Sequence, residues 1–211
     1  MTRLATTNST IPLDLCLHFS NTVNWHGSDH PIDKLTSYSE LVEWYRRRGI
    51  LDVGTAARLL KGSRRDPKRA HLALERAREL RESIYLTFSS VSHGRNPKPS
   101  DLDILNRNFS ASVARLALSF EKRGKEFVWK WKAGKQIELD QILWPIAKSA
   151  VDLLFSDIRA YVKECANESE GCGWLFIDTS KNHSRRWCSM SDCGNRSKAR
   201  SYYAREKSRI R

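Results

Sequence analysis

The sequence predicts an α+β protein: a mostly helical N-terminal domain with a small antiparallel β-hairpin, followed by a compact cysteine-rich module. Three observations carry this reading. Apolar residues recur at helical spacing through most of the first 160 positions. Residues 116–131 switch to alternation with a period of two. Four of the five cysteines then fall within 29 residues near the C-terminus. A chain of 211 residues has room for one ordinary domain and a small appendage, so the expected division is residues 1–160 and 161–211.

The elements follow in order. Residues 13–25 are apolar and then amide-rich and predict a short helix, with Cys16 as a buried thiol. Ser37 stands three residues before Glu40, the pattern of a capping box, and Gly49 closes the stripe of Leu41, Trp44 and Tyr45. A turn or two of helix is expected at residues 56–60. Asp66 and Pro67 supply an N-cap and a favoured first helical residue for a long helix through Ala70, Leu74, Ala77, Arg81, Ile84 and Phe88. Residues 58–81 carry nine Lys/Arg against three acids, which a solvated helix face explains without a ligand.

Residues 96–100 break the helical pattern, and Ser100 with Asp103 is expected to cap a helix running to about Asn108. Leu116, Leu118 and Phe120 then alternate, residues 122–125 supply a turn, and Phe127, Trp129 and Trp131 alternate again. This is a hairpin with one apolar face, which aromatic pairs of this kind usually turn toward a core. A third short strand is expected at residues 136–139, and then a helix with Leu143, Ile146, Ala147, Ala150, Leu153 and Leu154 as its stripe.

The cysteine cluster reads C-x6-C-x15-C-x4-C over Cys165, Cys172, Cys188 and Cys193. Two cysteine pairs on two turns can close a tetrahedral zinc site, and a fragment this small needs such a staple to fold. Clustered thiols in a reducing compartment more often bind metal than pair as disulfides. A redox thiol pair and an iron–sulfur cluster are the rival readings. His183 lies between the pairs but is expected to be exposed or near a phosphate, because the cysteines already make a full set.

Charge points to the same region. Residues 181–211 hold ten Lys/Arg against two acids, which is +8 of the chain's net +13. Such a concentration suits a polyanion. Arg185, Arg186, Arg196, Lys198 and Arg200 surround the second cysteine pair and run into an expected helix at residues 191–207. These five are the candidate phosphate contacts, and Asn195 is a candidate either for a base edge or for bracing the loop.

At these residues the sequence resembles a known family. The strings CGWLFIDTSKN, SRRWCSM and CGNRSKAR are similar to the CGNR zinc finger of bacterial proteins, named for Cys193, Gly194, Asn195 and Arg196. Upstream, LCLHFSNTVNW and LWPIAKSAVDLL resemble the ABATE domain that usually precedes that finger and is associated with stress-induced transcription. The resemblance implies zinc held by the four clustered cysteines, DNA as the partner of the finger, and a ligand-sensing N-terminal domain with a small-molecule effector of unknown identity. It departs from the family in two places: six residues separate Cys165 from Cys172 where four are usual, a lengthening that costs only about 0.4 kcal/mol in loop closure, and His18 stands where the family often has an acidic residue, which weakens a ligand role for the LCLHFSNT segment.

The expected function is thus a zinc-dependent, DNA-binding transcription regulator of the bacterial cytoplasm. An RNA- or protein-binding zinc module is the rival, followed by a thiol redox sensor. No catalytic role is expected, since HExxH, GxSxG, P-loop and GxGxxG patterns are missing from the sequence. No stretch is long and uncharged enough to span a membrane, and Asp14 interrupts the N-terminal apolar run, so no export signal is read.

Overall fold

A computed structural model describes residues 11–122, 124–132 and 137–209. The first helix, α1 (Leu15–Ser20), is short and buries Leu15, Cys16, Leu17 and Phe19. Two two-residue strands, β1 (Val23–Asn24) and β2 (Ile32–Asp33), pair antiparallel behind it. Helix α2 (Tyr38–Arg47) begins at a complete capping box between Ser37 and Glu40. Gly49 follows it at φ +68°, where a side chain would be strained.

Helix α3 (Val53–Arg65) is capped by Asp52 and runs a full turn beyond the expected residue 60. Gly62 does not end it, because the Leu139 side chain covers the space beside the glycine, where a Cβ would lie 3.2 Å from Leu139 Cδ2. Tertiary packing outweighs the low helix propensity of Gly here. Asp66 caps α4 (Pro67–Ser92), the 26-residue axis of the fold, by accepting from the Arg69 amide.

Helix α5 (Pro99–Val113) differs from the sequence reading at both ends. Pro99 takes the first helical position with Lys98 as the uncapped N-cap, so Ser100 and Asp103 lie inside the helix, which passes residue 108. After the hairpin, β3 (Leu116–Glu121) and β4 (Glu126–Trp131), the expected third strand does not form among the described residues. Residue 136 lies outside them, residues 137 and 138 are irregular, and Leu139–Leu143 is a 3₁₀ turn. Helix α6 (Trp144–Phe155) follows, with Pro145 in its first turn.

The core gathers α1, α2, α4 and α6, with Leu41, Tyr45, Leu80, Ile84, Phe88, Ile146 and Leu153 fully buried. Several polar groups that enter it are partnered, while Ser20 Oγ and Thr87 Oγ1 are buried with no hydrogen-bond partner among the described residues. Tyr38 Oη donates to the Leu139 carbonyl at 2.8 Å, and Tyr45 Oη donates to that of Ile142. Arg81 is buried on α4 and donates to both Asp33 oxygens at 2.7 Å and to Thr22 Oγ1 at 3.1 Å, which ties the β1–β2 pair to the long helix.

The β3–β4 hairpin overturns one expectation. Its register pairs Leu118 with Trp129 and Phe120 with Phe127, as the alternation requires. Yet these four side chains are 61%, 50%, 51% and 67% exposed, respectively. The hairpin's base reaches other elements, where Trp131 lies beside Trp144 with ring centroids 5.7 Å apart.

A second hairpin carries the cysteines. Strands β5 (Val162–Glu164) and β6 (Leu175–Ile177) have three residues each, and Val162 and Leu175 join the main core. Helix α7 (Asn195–Arg209) closes the described chain.

Candidate metal centre and basic helix

The β5–β6 hairpin is fixed to the helical layer before any metal is considered. Asn21 donates to the Leu175 carbonyl at 2.8 Å and accepts from the Leu175 amide at 3.0 Å, so one side chain acts as an added strand edge. Glu164 accepts from Tyr85 Oη at 2.9 Å and from Ser89 Oγ at 2.6 Å, both on α4. Gly27 donates its amide to the Gly171 carbonyl at 3.0 Å. That approach requires glycine: Gly171 has φ +64°, and a Cβ there would meet the Ser28 nitrogen at 2.4 Å.

Cys165 follows β5, and its amide donates to the Trp174 carbonyl at 2.9 Å. Cys172 sits between Gly171 and Gly173, both in the left-handed region. Cys188 lies on the second loop. Cys193 occupies a π turn, Met190–Gly194, that leads directly into α7. The four sulfurs lie within 4.8 Å of one another. Cys172, Cys188 and Cys193 form a triangle with edges of 3.7, 3.6 and 3.5 Å. These separations are far from a disulfide bond length of about 2.05 Å. They agree with the sulfur–sulfur edge of about 3.8 Å that a tetrahedron with Zn–S near 2.3 Å requires.

Electrostatics make the same point. The neighbouring thiols of Cys172 and Cys188, together with the amides of Cys188 and Asn167, hold the Cys165 thiol well below its usual range. Contact with Cys165 drives Cys172 the other way, and Cys188 is pushed up to about 12. Four thiols this close cannot all ionise on their own, and a divalent cation at their centre removes the conflict. Trp25, Trp174, Phe176 and Trp187 pack around the sulfurs. Cys16 takes no part; burial beneath α6 raises its thiol to about 12.

The loop between the cysteine pairs is organised by Asp178, which is 1% exposed. Burial alone would raise its pKa, but Lys163 at 2.6 Å, the Ser180 hydroxyl and amide, and the Arg185 amide hold it well below the carboxylate range. His183 is exposed, stacks on Tyr161 with centroids 3.9 Å apart, and bonds through Nδ1 to the Asp178 carbonyl.

The candidate phosphate contacts divide into two groups. Arg185 Nε donates to the Trp187 carbonyl at 2.8 Å, its Nη2 donates to the Cys188 carbonyl, and its guanidinium lies over Phe176. Arg196 pairs with Asp192 at 2.8 Å, and its guanidinium lies 5.0 Å from the centre of the Trp25 ring. Arg200 pairs with Glu170. Each of these three is engaged with its own finger. Arg186, whose guanidinium lies 5.3 Å from the centre of the Trp187 ring, and Lys198 form no ion pair among the described residues and line a notch of about 280 Å³ with Trp187, Ser197, Ser201 and Arg205. Ser197, Ser201 and Arg205 follow one another at i, i+4 spacing on α7, a signal present in the sequence but not read from it. Asn195 opens the helix and donates from Nδ2 to the Ser191 carbonyl at 3.3 Å.

Trp25 is the main contributor to this centre that sequence reasoning missed. It lies some 140 residues before the first clustered cysteine, adopts φ +56°, and has no spacing relation that could reveal it.

Residues 13–157 match the ABATE family model, described as "Putative stress-induced transcription regulator", and residues 161–206 match the CGNR zinc finger. No curated protein matches the chain. Among the described residues no helix is long and apolar enough to cross a membrane.

Proposed function

Because this chain belongs to the ABATE family and carries a CGNR zinc finger, we propose that it is a zinc-dependent, DNA-binding transcription regulator of the bacterial cytoplasm, its N-terminal domain taking up a small-molecule signal. The observation that carries the reading is the placement of four clustered sulfurs at the root of a basic helix. Zinc held by Cys165, Cys172, Cys188 and Cys193 would supply a closed structural cross-link with no open coordination position.

The chain's own residues then divide the work. Arg186, Lys198 and Arg205 present positive charge to backbone phosphates, Arg205 while its Nε donates to the Ser201 carbonyl at 3.2 Å, and Ser197 adds a neutral donor. Arg185, Arg196 and Arg200 orient the helix on the finger and add to its field without leaving their carbonyl and carboxylate partners. Asn195 braces the start of the helix through Ser191. The reading assigns no catalytic residue.

Genomic selection tests it. Fragmented host DNA and total host RNA are incubated with the zinc-loaded full chain, and the retained nucleic acids are sequenced. Discrete sites should be enriched by the wild type and lost in a Cys188→Ser, Cys193→Ser double variant. Retention of RNA alone, or of no nucleic acid at low salt, would replace this reading with an RNA- or protein-binding one.

A further inference from the structure

A pocket of about 330 Å³ shares no lining residue with the site described above. It opens where the α2–α3 turn meets the base of the β3–β4 hairpin and the start of α6. Its walls are aromatic and aliphatic: the indoles of Trp131 and Trp144, tilted at 43°, with Tyr45, Ile50, Leu51 and Pro145. Tyr45 turns its hydroxyl away to the Ile142 carbonyl and so presents only its ring. The volume falls in the range of small-molecule sites, which combine such walls with a few placed polar groups.

The polar groups are gathered at one end, on the first turns of α3. Asp52 is already engaged: its carboxylate accepts from the Thr55 amide at 2.8 Å, and Thr55 holds it ionised. Arg58 is not. It gives one hydrogen bond, from Nη2 to Thr55 Oγ1 at 2.9 Å, and a guanidinium carries five donors. The Gln141 side-chain amide has no hydrogen-bond partner among the described residues. The pocket therefore offers spare donors beside flat apolar walls, and its one lining carboxylate, Asp52, has an oxygen turned to the Thr55 amide.

We infer that this pocket binds a planar aromatic molecule bearing an acidic oxygen group, such as an aromatic carboxylate, with its ring against Trp131 and Leu51 and its anion at Arg58. This deepens the signal-sensing half of the proposed function and gives that half a site and a ligand class. The pairing matches a planar fork of donors to a planar acceptor.

The test uses the full chain with two probes of the same ring, 2-naphthoate and the neutral 2-naphthalenemethanol, titrated by calorimetry and followed on the indole N–H resonances. Naphthoate should bind saturably, one per chain, and move the Trp131 and Trp144 resonances. Arg58→Gln, an exposed position, should weaken naphthoate about tenfold and leave 2-naphthalenemethanol within about twofold. Leu51→Trp, which fills the pocket, should abolish both. Absence of saturable binding, equal weakening of both probes in Arg58→Gln, or shifts confined to other indoles would overturn the inference. None of these readouts involves DNA, so loss of the pocket and loss of the DNA-binding reading are separate results.

Discussion

The two larger antiparallel hairpins invert the relation between pattern and burial. The β3–β4 hairpin has six-residue strands, strict alternation and four large apolar side chains on one face, and that face meets solvent. The β5–β6 hairpin has three-residue strands and little pattern, yet it is built into the core and holds the cysteine cluster. Alternation specifies that a face exists, not what covers it. Burial of the shorter hairpin comes from long-range partners: Asn21 on Leu175, and Tyr85 and Ser89 on Glu164.

The largest expected effect sharpens this contrast at the metal. Structural zinc sites contribute on the order of 10 kcal/mol to small modules. Metal analysis should give one zinc per chain in the wild type and in Cys16→Ser, and none in the Cys188→Ser, Cys193→Ser double variant. Chelation should remove the finger's order while the helical core keeps a cooperative melt, because that core is closed by α1, α2, α4 and α6.

Next in size is the Arg81–Asp33 pair, which anchors β1–β2 to α4 with Arg81 buried and Asp33 partly exposed. Arg81→Ala leaves Asp33 with only the more distant Arg78, at 3.4 Å, as a charged partner and should cost about 2–4 kcal/mol in denaturant unfolding. The pair also sets a pH dependence. Although burial pushes the Asp33 carboxyl up, the Arg81 and Leu35 hydrogen bonds prevail and hold it below its usual value. Its contribution is therefore complete above the usual Asp range of about 4 and is lost as pH falls through the lower folded value. In Arg81→Ala the Asp33 part of this acid sensitivity should shrink in a stability–pH series, with only the Leu35 amide and Arg78 left to hold the carboxylate.

Asn21→Ala comes third. It removes both hydrogen bonds that join β6 to α1's C-terminal turn and leaves two Leu175 backbone groups unpaired, for a loss of about 1–3 kcal/mol. The same measurement on Phe127→Ser should show a change of only about 0.5 kcal/mol or less, as for surface sites generally. A loss above 2 kcal/mol in that variant would mean that the exposed hairpin face is covered in solution.

Local chemistry was legible where local chemistry decides. Ser37 with Glu40, Asp66 with Pro67, and the spacing of the four clustered cysteines each require only near neighbours, and each appears in the structure as a cap or a cluster. The ends of α3 and α5, the exposure of Phe127 and Trp129, and the contribution of Trp25 to the sulfur site depend on residues tens of positions away. The basic cluster shows both cases. Its charge was plain in the sequence, but only the folded chain separates Arg196 and Arg200, ion-paired with Asp192 and Glu170, from Arg186 and Lys198, which line the notch beside Trp187.

That separation gives the central claim its sharpest test: equilibrium binding of the zinc-loaded chain to a selected duplex across a salt series, for the wild type and for Arg186→Gln with Lys198→Gln. Each phosphate contact contributes about 0.9 to the steepness of log K against log salt. The double variant should keep its zinc and bind with a slope shallower by about 2. An unchanged slope in the zinc-loaded variant, or a wild type that binds no duplex at low salt, would contradict the account.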